Sequence, residues 1–108
     1  LKAMKVKSKL TKEINEAFKK FDLLIAPTVP ILPFKIGEKI NDPVSLFLID
    51  INTVTANLTG KPAVSIPYAI SNGLPIGIQL FANSNQDKLL LQAAYALEQT
   101  VKLPEVPI

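Results

Sequence analysis

The chain has 108 residues, a formal charge of +3, and 48% hydrophobic against 19% charged residues. That excludes an intrinsically disordered chain, which needs few apolar residues and high net charge, and the length allows one small domain at most. The sequence has no His, Cys or Arg. This excludes His-based triads, thiol nucleophiles, disulfides and the common zinc sites, so no metal is expected. Without Arg, forked contacts to phosphate or guanine are also lost.

Mean hydropathy is +0.28, high for a free-standing domain of this size, which keeps much of its surface in water. No stretch reaches the roughly 18 apolar residues of a spanning helix, so no membrane is expected. The composition therefore predicts a segment of a larger soluble protein, or one half of an intimate oligomer. Absence of Cys fits a cytoplasmic chain. The first residues are basic and helical, without the apolar core of a signal peptide.

Residues 1–21 read as an amphipathic helix, with Val6, Leu10, Ile14, Ala17 or Phe18, and Phe21 at helical spacing. Residues 1–20 hold seven Lys and two Glu, a balance of +5, and the rest carries −2. The basic face reads either as a solvated surface or as a contact for RNA phosphates or acidic lipid. Leu23-Leu24-Ile25-Ala26 then predicts a short buried strand ended by Pro27. Residues 27–43, with Pro27, Pro30, Pro33 and Pro43, predict an irregular connection.

A second helix is expected from Asp42-Pro43 to about Leu58. Asp is a good N-cap, Pro suits the first helical position, and Gly60 lies just past the end. This helix is apolar almost all round, which predicts burial. Ala63–Pro67 and Pro75–Phe81 read as strands, with Ser71-Asn72-Gly73 as a turn signal. The loop reads as longer than two residues, so antiparallel pairing is expected but not required. Ser84 and Asp87 approximate a capping box. The last helix places Leu90, Ala94, Leu97 and Val101 on one face, and residues 103–108 read as an irregular tail.

One residue stands out chemically. Asp50 is the lone acid within Leu46–Ile51, and at helical spacing it shares a stripe with Thr53 and Asn57. A carboxylate in an apolar setting costs several kcal/mol unless it is paired. The stripe either faces water or lines a polar pocket that receives a cationic group. The five Ser residues offer no G-x-S-x-G elbow and no His partner. A Ser–Lys pair is the remaining nucleophilic arrangement, and no self-contained catalytic residues are expected.

The run Asn41-Asp42-Pro43-Val44-Ser45-Leu46-Phe47-Leu48-Ile49-Asp50 resembles the amidase signature family, as does Ala56-Asn57-Leu58-Thr59-Gly60-Lys61-Pro62-Ala63-Val64-Ser65-Ile66-Pro67. Leu1–Lys7, Phe34–Glu38 and Gly73–Leu80 agree with it. The resemblance covers nearly the whole chain and points to the tRNA-dependent amidotransferase branch. It implies an α/β fold in which residues 1–108 are the C-terminal portion of an amidase domain, with helices packed on a mixed β-sheet. It also implies that the Ser–Ser–Lys catalytic residues lie upstream, because no Gly-Gly, Gly-Ser or Ser-Ser occurs here. The parent reaction would hydrolyse glutamine and deliver ammonia for ATP-dependent amidation of Glu-tRNA(Gln). Its partners would be the amidotransferase B and C subunits, with tRNA held mainly by B. This chain would bind no cofactor. The resemblance places Asp50 where the tRNA-dependent branch uses an Asp to bind the α-amino group of glutamine. The alternatives are another amidase signature hydrolase acting on small amides, or a non-catalytic module that uses the basic helix. The isolated chain is also expected to self-associate through exposed apolar surface.

Overall fold

A computed structural model describes residues 1–38 and 42–103. The elements in order are α1 (Lys2–Ala17), β1 (Leu23–Pro27), α2 (Pro43–Ile49), α3 (Val54–Thr59), β2 (Ala63–Ser71), β3 (Leu74–Ala82) and α4 (Asp87–Thr100). Among the described residues no helix is long and apolar enough to cross a membrane. The α/β class, with helices packed on a sheet, agrees with the sequence. Among the described residues the sheet has the strand order β1-β3-β2, and both of its pairings are antiparallel.

The hairpin explains half of that pairing. β2 and β3 are joined by only two residues, Asn72 and Gly73, at φ 53° and 75°. Left-handed values at both central positions are what a tight hairpin turn needs, and Asn-Gly supplies them at least cost. The loop is thus shorter than the sequence reading allows, and its geometry fixes the register with Ser71 opposite Leu74. A bulge between Pro67 and Ala69 interrupts it. Pro67 is tolerated because β2 lies at an edge of this sheet.

Strand alternation sorts the side chains onto two faces. On one face Ile66, Leu80 and Ala82 meet Leu90 and Ala94 of α4, with Leu23, Val64, Ile78 and Leu97 packed around them. This core realises the face predicted for the last helix. The other face carries Ser65, Gln79 and Phe81. Beside it α3 packs against α1.

Several local expectations change. α4 starts at Asp87 after Gln86, and no side chain caps it. The Ser84–Asp87 capping box does not form, because the Ser84 hydroxyl instead accepts a hydrogen bond from Lys61 Nζ at 3.0 Å. β1 is only partly buried, and Ile25 is 58% exposed. The helix expected over 42–58 is two helices separated by a turn at 50–53. Its start holds: Asp42 Oδ1 accepts from the Val44 and Ser45 amides, and Pro43 opens the helix. Its end holds too, with Gly60 at φ 67°. Its burial does not hold, since α2 buries no residue and Phe47 is 69% exposed. Among the described residues no other helix or strand packs extensively against α2. Residues 28–38 form no helix or strand, as expected. Residues 39–41 of the connection and 104–108 of the tail lie outside the described residues.

Candidate functional site

The face of the sheet opposite α4 meets α3 along a cleft lined by the polar residues Thr28, Thr53, Asn57, Ser65 and Gln79 and by Ala56, Ala63 and Val64. Thr28 follows β1, Ser65 lies on β2 and Gln79 on β3, so the sheet register joins residues far apart in sequence. Thr53 and Asn57 come from the start and middle of α3. The volume is about 210 Å³, below the roughly 300–1,000 Å³ of a complete small-molecule pocket. The cleft is thus smaller than a complete ligand pocket.

Its floor is tightly specified. The hydroxyls of Thr28 and Ser65 are hydrogen-bonded at 2.6 Å, bridging β1's end to β2 across the central strand. Gly77 lies beneath this bridge. A Cβ there would stand 2.9 Å from Ser65 Oγ and 3.0 Å from Thr28 Oγ1, so only glycine lets the pair approach the backbone. Gln79 Nε2 donates to the Asn52 carbonyl at 2.8 Å and to the Pro27 carbonyl at 3.4 Å.

Asp50 sits at the C-cap of α2 and is exposed. Its backbone carbonyl accepts from the Thr53 amide at 3.0 Å, the Val54 amide at 3.1 Å and the Thr53 hydroxyl at 3.1 Å. Among the described residues its carboxylate has no partner, and it does not line the cleft. The burial argument for Asp50 therefore fails within this chain: the carboxylate keeps its hydration, and nothing in its surroundings demands a cation. The physical reason is the helix break. A continuous helix would align Asp50, Thr53 and Asn57 on one stripe, whereas the turn at 50–53 separates Asp50 from the two residues that do line the cleft.

Sequence reasoning missed Thr28, Ser65, Gly77 and Gln79. The signal was present in β2 and β3, where Ser65 alternates with Val64 and Ile66, and Gln79 with Ile78 and Leu80. Among the described residues the cleft lining contains no charged group. A Ser–Lys contact does occur between Lys61 and Ser84, but Lys61 is nearly buried and donates to both Asn83 Oδ1 and Ser84 Oγ at 3.0 Å. Its ammonium also lies 5.9 Å from the Phe18 ring centroid. That lysine ties α1 to the turn before α4.

The Amidase family profile matches residues 1–91. Over 106 residues the chain is 57% identical to the A subunit of glutamyl-tRNA(Gln) amidotransferase from Cenarchaeum symbiosum, covering 98% of this chain and 22% of that protein. It is 46% identical over 99 residues to the corresponding protein of Methanococcoides burtonii, covering 92% and 21%. The crystal structure of the Thermotoga maritima counterpart superposes with a TM-score of 0.89 at 42% identity, over 96% of this chain and 23% of that one. The chain thus spans about 22% of the length of the curated relatives it matches. On the family match and these identities, the chain belongs to the amidase family.

Proposed function

We propose that this chain serves as the C-terminal portion of the glutaminase (A) subunit of a Glu-tRNA(Gln) amidotransferase. The observation that carries the reading is the 57% identity across 98% of the chain to a protein named as that amidotransferase's A subunit. In the parent reaction a serine hydroxyl outside these residues attacks the side-chain amide of glutamine. An acyl-enzyme forms, ammonia leaves, and water releases glutamate. The ammonia passes to the B subunit, where ATP activates the glutamyl group of Glu-tRNA(Gln) for amidation. The C subunit completes a cytoplasmic heterotrimer. This chain supplies part of the sheet and one wall beside the substrate.

Asp50 is the residue proposed to hold the α-ammonium of glutamine. Its carboxylate is exposed and without a partner among the described residues, so it is available to a cation. It also opens the turn whose last residue, Thr53, lines the cleft. A charge-assisted hydrogen bond of this kind contributes about 1.5–3 kcal/mol.

The test replaces the matched segment of the Thermotoga maritima protein with residues 1–108 and assembles the chimera with the B and C subunits. The complex is expected to form Gln-tRNA(Gln) from glutamine. Asp50→Asn should raise KM for glutamine about 10- to 100-fold, while amidation driven by added ammonium stays unchanged. An inactive chimera that still assembles would overturn the functional reading, and an Asp50→Asn KM within twofold of the parent would overturn the role of Asp50. The 108-residue chain alone should release no ammonia from glutamine above a boiled control.

A further inference from the structure

The turn that carries Asp50 has little to fix it from its N-terminal side, because α2 buries no residue. The side chain of Gln79 reaches it from the sheet. Gln79 is 3% exposed and lies on the central strand, on the face away from α4. A primary amide has two N–H donors and one carbonyl. Here the amide nitrogen donates to Asn52 O within the turn and to Pro27 O at the end of β1.

Burying an amide carries a desolvation cost that an apolar residue of equal size would not incur. Ile78 and Leu80 point to the opposite, α4-facing side of the strand, so Gln79 shares its face with Ser65 and Phe81. A donor confers what an apolar residue cannot: a fixed distance between the sheet and the Asn52 carbonyl. The link continues to the acid, since the amides of Thr53 and Val54 and the Thr53 hydroxyl all converge on the Asp50 carbonyl. From Gln79 the path runs through one hydrogen bond to the Asn52 carbonyl, the Asn52–Thr53 peptide bond, and a second hydrogen bond to the Asp50 backbone carbonyl. The Thr28–Ser65 bridge over Gly77 closes the other side of the same floor.

We propose that Gln79 is a positioning residue for Asp50: its amide pins the Asn52 carbonyl and so sets where the Asp50 carboxylate meets the substrate's ammonium. This rests on the reading of Asp50 given above. The role assigned to Gln79 runs through the Asn52 carbonyl.

The test uses the chimeric protein in complex with the B and C subunits. Gln79→Met matches the shape of Gln without its donors, and Gln79→Leu is a second apolar variant. Each is expected to raise KM for glutamine about 3- to 10-fold, with kcat at saturating glutamine and ammonium-driven amidation within twofold of the parent. In an Asp50→Asn background, Gln79→Met should add less than twofold to KM, because the group being positioned is already gone. If Asp50→Asn raises KM but neither Gln79 variant does, the positioning role is overturned and the Asp50 reading stands. If Asp50→Asn leaves KM unchanged, both fall. A Gln79 variant that loses ammonium-driven amidation or its cooperative melt shows a merely structural role, and the proposal fails.

Discussion

The β2–β3 hairpin with α4 and the helix α2 are both rich in apolar residues, yet they end in opposite situations. In the first, Leu90 is 3% exposed and Ile66 7%. In the second, Phe47 is 69% exposed and nothing is buried. The difference does not lie in hydrophobicity, since α2 (Pro-Val-Ser-Leu-Phe-Leu-Ile) is the more apolar helix. It lies in whether a complementary surface is present. The hairpin offers α4 a flat face of Ile66, Leu80 and Ala82, whereas no element within the described residues offers one to α2. Apolar patterning states what a helix needs. Only a partner surface decides what it buries.

Four substitutions test that contrast. Leu80→Ala strikes the hairpin core and should lower stability by about 3 kcal/mol, seen as a lower urea midpoint. A loss below about 1 kcal/mol would mean that the core is far looser than its burial implies. Gly77→Ala should destabilise by about 1–3 kcal/mol, because the new methyl meets the Thr28 and Ser65 hydroxyls. Adding Thr28→Ala and Ser65→Ala should recover most of that loss, whereas no recovery would locate the strain elsewhere. Lys61→Met keeps the apolar stem but removes the bonds to Asn83 and Ser84 and the approach to Phe18. It should cost about 1 kcal/mol by the same measurement. Phe47→Ser is expected to change stability by less than about 0.5 kcal/mol. Its effect should instead appear in sedimentation: the parent 108-residue chain is expected to self-associate, and the variant to shift toward monomer. A large stability loss for Phe47→Ser would erase the distinction between the two regions.

How much could be read from the sequence follows the range of the interactions. Asp42 and Pro43 announced the start of α2 because an N-cap acts on amides two and three residues away. Gly60 marked the end of α3 for an equally local reason. The face of α4 was legible from its spacing. The break at 50–53 was not, because the bond from Gln79 to Asn52 O comes from a strand distant in the chain. The capping box at Ser84 failed for the same reason, its hydroxyl being taken by Lys61. The cleft was half legible: Thr53 and Asn57 stand out on one stripe, but Thr28 and Ser65 meet only through the β1-β3-β2 order. Asp50 is the case where a sound local premise, a lone acid among apolar residues, met a tertiary fact it could not contain.

The Asn72-Gly73 turn also bears on the sequence of events in folding. With two residues between its strands, the hairpin closes at almost no loop entropy, and α4 follows it directly along the chain. β1 must instead be brought across the whole stretch from Thr28 to Gly73 before Ile25 meets Leu80. Contact order therefore places β1 last to join, and by the same reasoning first to leave. In a hydrogen-exchange experiment the amides shared by β2 and β3 should outlast those that β1 contributes, so that the strand nearest Thr28 is the one through which this wall opens.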